Sequence, residues 1–248
     1  MLIDVHAHLD FPQFDPDRDE VIERAAKEDI LIINSGLGVE GARKTLDLAG
    51  RHDNVYAALG MSPTEFDEKE INAVIDLIRE NIDRIVAIGE VGLDYYWVKD
   101  DLRRWQEAEY FRRFIALSDE VGLPLVVHSR GAEADVLKIL EGSDKRALLH
   151  CFGGMVGQAE EAASFGHLIS MPTNVVYSKR KQEMTEAIAM NRLVLETDSP
   201  YLAPVPKTRN EPVNIRLSAE KIAGVKGVAS AAVAKATTAN AKRFFNLR

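Results

Sequence analysis

The chain has 248 residues, 46% apolar and 28% charged, with a formal net charge of −8. That composition is ordinary for a folded globular domain, and its acidic balance excludes a surface coated in cations for sequence-blind nucleic-acid binding. A local basic rim around an acidic, cation-filled cleft stays open, because a bound cation inverts the local field. No apolar run approaches the roughly 18 residues of a membrane span, and the first residues do not read as a secretory leader. The lone cysteine, Cys151, allows no internal disulfide, so a reducing, cytoplasmic setting is expected.

Short apolar runs alternate along the chain with amphipathic stretches. The first, LIDVH (2–6), ends in His6, with His8 one residue beyond Ala7 and Asp4 and Asp10 flanking the pair. Strand side chains alternate in direction, so Asp4, His6 and His8 are expected on one face. Seven runs follow: ILIIN (30–34), VYAALG (55–60), IVAIGE (85–90), PLVVHS (124–129), ALLHCF (147–152), LISM (168–171) and LVLETD (193–198). They are rich in Val, Ile and Leu and lack polar alternation, as strands buried on both faces do.

The intervening stretches predict helices. Asp67 and Glu70 have capping-box spacing, with Phe66 placed to staple to Ile71. Leu102, Trp105, Phe111, Phe114, Ile115 and Val121 recur at helical spacing until Gly122 and Pro124 stop the helix. Residues 214–226 and 230–246 read as two closing helices. Eight strand–helix units without a linker predict one domain over residues 1–248. Its expected fold is α/β, a (β/α)8 TIM barrel with parallel strands inside outer helices. A doubly wound sheet would carry a glycine-rich phosphate turn after the first strand, where this chain has His6-Ala7-His8.

The polar residues that end these runs carry the functional signal. His6 and His8 follow run one, Glu90 ends run four, and His128 and His150 lie at the ends of runs five and six. Asp198 ends run eight. In such a barrel these positions converge on the face where active sites are built. Any one of them alone reads more simply as a hydrogen-bonded rim residue or a helix cap; the six together read as a metal site. Burying four imidazoles and two carboxylates side by side without a cation would be costly. Six ligands exceed the needs of one tetrahedral zinc. The expectation is therefore two divalent ions (Zn, Mn or Mg), with His6, His8 and Asp198 on the first, His128 and His150 on the second, and Glu90 bridging. His52 and His167 fall between runs.

The residues also resemble a known family, the TatD-related deoxyribonucleases among the metal-dependent hydrolase barrels. The matching motifs are DVHAHLD (4–10), GEVGLD (89–94), HSR (128–130), HCFGG (150–154), ETDSPYLAP (196–204), RNEP (209–212) and NAKRFFNL (240–247), in order along the chain. The resemblance implies a (β/α)8 barrel whose metal ligands fall on the same six residues. It also implies hydrolysis of DNA phosphodiesters, often from the 3′ end of single strands. Family members often carry Gly-x-His-Pro after strand three, where this chain has Gly60-Met61-Ser62-Pro63. Gly131 stands where an aspartate often follows His-Ser-Arg, and Gly153 where a serine or threonine is common.

The expected activity is thus that of a metal-dependent deoxyribonuclease acting on single-stranded DNA or 3′ ends, with Asp198 as ligand and proton acceptor and Glu90 as bridge. Arg130, Arg209 and Ser62 are candidate phosphate-binding residues; surface ion pairing is the plainer role for either arginine. A hydrolase of esters, amides or aminoacylated RNA shares the same metals, and a metal-free scaffold is the non-enzymatic alternative. Tyr95, Tyr96 and Trp97 are placed for stacking on bases or packing on the barrel. Lys179, Arg180 and Lys181 read as a solvated helix start, Cys151 as a buried thiol, and Glu196 as a partner to the ligands. A monomer without membrane contact is expected.

Overall fold

A computed structural model describes residues 1–143 and 146–247. Eight strands close into a barrel in chain order: β1 Leu2–Ala7, β2 Ile30–Leu37, β3 Val55–Gly60, β4 Ile85–Asp94, β5 Leu125–Arg130, β6 Ala147–Leu149, β7 Leu168–Met171 and β8 Leu193–Leu195. Every pairing between neighbours is parallel. The helices outside are α1 Arg18–Lys27, α2 Gly38–Arg51, α3 Glu68–Glu80, α4 Asp101–Val121, α5 Glu133–Glu141, α6 Val156–Ser164, α7 Lys179–Ala187, α8 Ile215–Lys226 and α9 Ser230–Phe245. The architecture is the (β/α)8 barrel expected from the eight apolar runs. No helix among the described residues is long and apolar enough to cross a membrane.

Local chemistry sets the helix ends. Asp67 caps α3 by accepting the Glu70 N–H at 2.8 Å, and Gly122 ends α4 in the left-handed conformation with φ 73°. In α4 inward packing begins at Glu107 and runs through Phe111, Phe114 and Ile115, all buried, whereas Leu102 and Trp105 in the first turns are exposed. The helix starts beyond the C-terminal end of β4, so its first turns stand above the sheet with nothing to cover them.

The core has two layers. The larger lies between strands and helices. The smaller draws on every strand, from Ile3 and Val5 on β1 through Val126 and Leu148 to Val194 on β8, with Ala241 and Phe245 of α9 packed against it. It fills the barrel lumen below the catalytic face and is closed at the N-terminal mouth by α9.

The barrel is thinly joined where first and last strands meet. One register pair, Asp4 with Leu195, links β1 to β8, and Ala7 forms an isolated bridge with Ser199. The Asp4 carboxylate reinforces this seam, accepting from the Thr197 N–H at 2.8 Å and the Thr197 hydroxyl at 2.5 Å.

Two strands break register at their functional ends. The pairing of β1 with β2 shifts between Asp4 and Ala7, and that of β4 with β5 between Ile88 and Val91. Such irregularities re-aim side chains next to active sites. The first overturns the expectation that Asp4 shares a face with His6 and His8: Asp4 turns to Thr197, and the two imidazoles turn to Ser35 of β2.

Candidate metal centre

The C-terminal rim opens into a cleft of about 670 Å³ whose lining includes His8, Glu90, His128, His150 and Asp198. His6 lies at its floor, fully buried. The side chain of Glu90 sits at the middle. Its Oε2 is 2.9 Å from His6 Nε2, 3.5 Å from His8 Nε2 and 3.8 Å from His150 Nε2, and its Oε1 is 3.2 Å from His128 Nδ1. Asp198 Oδ1 lies 3.7 Å from both His6 Nε2 and His8 Nε2. The six side chains read from the strand ends therefore meet in one place. Two candidate ligand sets stand out: atoms of His6, Glu90 and His150, and atoms of His6, His8 and Asp198, each set within 4.8 Å of one another.

Gly60 lets Glu90 reach this position. A Cβ on Gly60 would stand 2.2 Å from the Glu90 carbonyl oxygen, so only glycine admits β4 this close to β3.

Each imidazole is held from behind. His8 Nδ1 is 2.9 Å from the Ser35 carbonyl oxygen, which can only accept. Nδ1 therefore carries a proton and Nε2 faces the centre. His150 repeats the arrangement through Glu196, whose Oε2 is 3.2 Å from its Nδ1 and also accepts from Ser170 Oγ at 2.6 Å. His128 has the opposite orientation, with Nε2 on Asp94 Oδ2 at 3.0 Å and Nδ1 toward Glu90. His6 Nδ1 meets the Ser35 hydroxyl at 3.1 Å. Ring nitrogens pinned by outer acceptors, with their partners converging, characterise metal-binding histidines.

Electrostatics point the same way. His6 Nε2 and His8 Nε2 lie 3.0 Å apart, too close for both to hold protons. Burial and then the His150 imidazole push His6 down to about 4. For His8, burial is outweighed by Glu90 and Asp198, which raise it to about 9. Burial raises Asp198 to about 6 despite the imidazoles of His150 and His8 beside it. Glu90 Oε2 is buried and receives no well-formed hydrogen bond despite the nitrogens around it. A buried carboxylate oxygen without a well-formed hydrogen bond, ringed by imidazole nitrogens that a cation would strip of their inward protons, fits a divalent ion.

The other candidates separate. Arg130 and Ser62 line the cleft. Arg130 lies 3.9 Å over the Tyr96 ring and 5.8 Å from that of Trp97, and Ser62 Oγ is 2.9 Å from Thr64 Oγ1. Arg209 lies outside the cleft lining. Its guanidinium makes a two-pronged pair with Asp17, both bonds 2.6 Å, and a third bond to Glu211. The strand-eight loop thus turns this arginine back to the loop before α1, the plainer of its two expected roles. Tyr95 bonds Asp135 and is half-buried, while Tyr96 and Trp97 are exposed.

Lys181 was expected in solvent. It is buried, lines the cleft, and donates to the Phe152 carbonyl at 2.6 Å. Its place two residues into α7, after the short β7, directs it across the rim, a turn that the charge pattern Lys-Arg-Lys conceals. Two backing residues also escaped the sequence reading. Ser35 lies past the apolar run that was cut at Asn34. Asp94 stands four residues after Glu90, on a strand longer than its apolar portion; it closes the GEVGLD motif, but its role behind His128 was not read from it. Cys151 has a left-handed φ of 42° and reaches the cleft lining, departing from the alternation that would turn it away; burial pushes its thiol up to about 12.

Comparison with known proteins agrees with this geometry. A metal-dependent hydrolase from Methanocaldococcus jannaschii, itself uncharacterised, is 39% identical over 99% of this chain and 97% of its own length. A human deoxyribonuclease is 34% identical over 98% of this chain and 94% of its own. The crystal structure of a TatD homologue from Escherichia coli superposes with a TM-score of 0.91 at 25% identity, covering 100% of this chain and 98% of that one. The family model described as TatD related DNase matches residues 3–246, and the chain belongs to that family of metal-dependent hydrolases.

Proposed function

We propose that this protein hydrolyses DNA phosphodiesters, acting on single strands from the 3′ end, with two divalent cations (Zn, Mn or Mg). His6, His8 and Asp198 would hold one ion, His128 and His150 the other, with Glu90 between them. The observation that carries this reading is the convergence of four back-bonded imidazoles on a buried carboxylate that lacks a donor. Such ions, when bound, lower the pKa of water and neutralise charge on phosphoryl oxygens.

The chain's own groups do the rest. The Asp198 carboxylate takes the proton of the attacking water, a role open to a carboxylate that stands at the rim beside His6 and His8. Arg130 grips a non-bridging phosphate oxygen by a charge-assisted hydrogen bond. Tyr96 and Trp97, exposed beside it, offer faces on which bases stack. Lys181, which also lines the cleft, adds a second cation. Ser62 is a neutral hydrogen-bonding partner for phosphate.

The test is digestion of end-labelled single-stranded DNA with Mg²⁺, Mn²⁺ and Zn²⁺, alongside ester, amide and aminoacyl-RNA substrates, with Glu90→Ala as control. Metal-dependent shortening from the 3′ end that Glu90→Ala abolishes is expected. Turnover of acyl substrates with none of DNA would overturn the nuclease reading and keep the metal site.

A further inference from the structure

At the N-terminal mouth of the barrel, away from the histidine cluster, lies a second cleft of about 300 Å³. Six residues of extended chain separate Arg192 here from Asp198 at the rim, a span of roughly 20 Å. Three arginines line this cleft: Arg146 just before β6, Arg192 just before β8, and Arg243 on α9. Among the described residues no carboxylate lines it. Among the described residues none of the three forms an ion pair, whereas Arg24, Arg79 and Arg209 are each paired with Asp or Glu. In a chain of net charge −8, three uncompensated guanidiniums around one hollow make a local positive field that draws an anion.

The backbone shapes the cleft at two of the arginines, Arg146 and Arg192. Gly166, with φ 96°, forms the turn before β7, and a Cβ there would stand 3.2 Å from Arg146 Nε. Glycine therefore lets Arg146 lie across the turn. Arg192 donates to the Gly166 carbonyl at 3.3 Å from one nitrogen, which orients the guanidinium and leaves its other donors for a ligand. The neighbouring imidazole, His167, accepts the Ala147 N–H at 3.0 Å and so adds no negative charge. One wall is apolar, formed by Pro124 and Phe244.

We infer that this cleft binds a small phosphate monoester of about mononucleotide size. Guanidinium groups match phosphate oxygens in two-pronged fashion, and the Pro124–Phe244 wall takes the flat apolar part of the ligand. The volume is at the lower end of small-molecule sites, enough for one nucleotide and too small for a folded nucleic acid.

Calorimetric titration of the full chain in chelator, with thymidine 5′-monophosphate, inorganic phosphate and thymidine, tests the assignment. The monophosphate should bind, thymidine should not, and Arg243→Gln and Arg146→Gln should each weaken binding by about tenfold, the worth of one charge-assisted hydrogen bond. Arg24→Gln, which lies outside both clefts, should bind as wild type does. Both cleft variants replace side chains without an ion-pair partner among the described residues, and unchanged circular dichroism shows that they fold. Equal affinity in wild type and both variants, binding of thymidine as tight as that of its monophosphate, loss of binding in Arg24→Gln, or no binding at millimolar monophosphate would each overturn the assignment. A single-stranded oligonucleotide that binds more tightly than the monophosphate, through the same arginines, would overturn the small-ligand part and move the cleft to nucleic-acid backbone.

Discussion

Glu196 Oε2 stands 3.2 Å from His150 Nδ1, with the carboxylate fully buried. Burial alone would raise this carboxyl, but the His150 imidazole and the Ser170 hydroxyl hold it below its ordinary range. Charged, it can only accept, so it fixes the proton on Nδ1 and leaves Nε2 for a cation. Glu196→Gln removes the charge and keeps the shape. Metal affinity should fall about 10–100-fold, read by competition against a chelating dye. Unchanged affinity would mean that Glu196 only fills space.

Asp198→Asn keeps a side-chain oxygen and removes the proton acceptor. Turnover on DNA should fall at least about 100-fold in enzyme whose metal content, checked by elemental analysis, matches wild type. Near-normal turnover in metal-replete variant would move the proton to another group.

The two arginines separate by kinetics. Arg130→Ala should raise KM for single-stranded DNA several-fold, reflecting a lost charge-assisted hydrogen bond, with the melting temperature kept. Arg209→Ala should do the reverse, lowering the melting temperature slightly through loss of the Asp17 pair and leaving KM alone. A KM effect confined to Arg209 would reverse the assignment.

His167 gives stability a pH dependence of its own. It is 5% exposed, its Nδ1 accepts the Ala147 N–H, and burial, then Arg192, hold it down at about 4 from an ordinary 6.5. Between those values the unfolded chain binds the proton and the folded chain does not, so stability rises with pH. The contribution is complete above pH 6.5 and is lost as pH falls toward 4. At about 1.4 kcal/mol per pKa unit, it is on the order of 3 kcal/mol. His167→Asn keeps an acceptor without titrating and should flatten the urea-derived stability profile across that window. An unchanged slope would show that His167 takes up its proton equally in both states.

The barrel was legible because its strands are buried on both faces and read as unbroken apolar runs, each ending where polarity returns. That same end marked His6, Glu90, His128, His150 and Asp198, so the cluster could be assembled before any coordinates. What failed was whatever depends on departures from regular strand geometry. Asp4 looked equivalent to His6 until the register shift in β1 separated them. Ser35 was hidden because β2 continues past its apolar portion, and the role of Asp94, in sight at the end of GEVGLD, was hidden because β4 does the same. Lys181 was hidden because burial of a lysine is decided by the path of a short loop, which its neighbours Lys179 and Arg180 do not disclose. Arg209 stayed ambiguous because its partner, Asp17, is remote in sequence.

The seam between β1 and β8 makes ion binding a fastening for the whole chain. His6 and His8 stand on one side of it and Asp198 on the other, and the seam also carries one register pair, one bridge, the Asp4–Thr197 bonds and backbone bonds from the Asp198 N–H to the His6 carbonyl at 2.9 Å and from the His8 N–H to the Ser199 carbonyl at 2.8 Å. A cation shared across that gap would lace the opening segment of the polypeptide to its closing one. Stripping it should loosen the circle at this point before any other, seen as faster amide exchange in residues 2–7 and 193–199 while β3 and β4 stay protected. Uniform acceleration around the ring would show that the ion serves chemistry without serving closure.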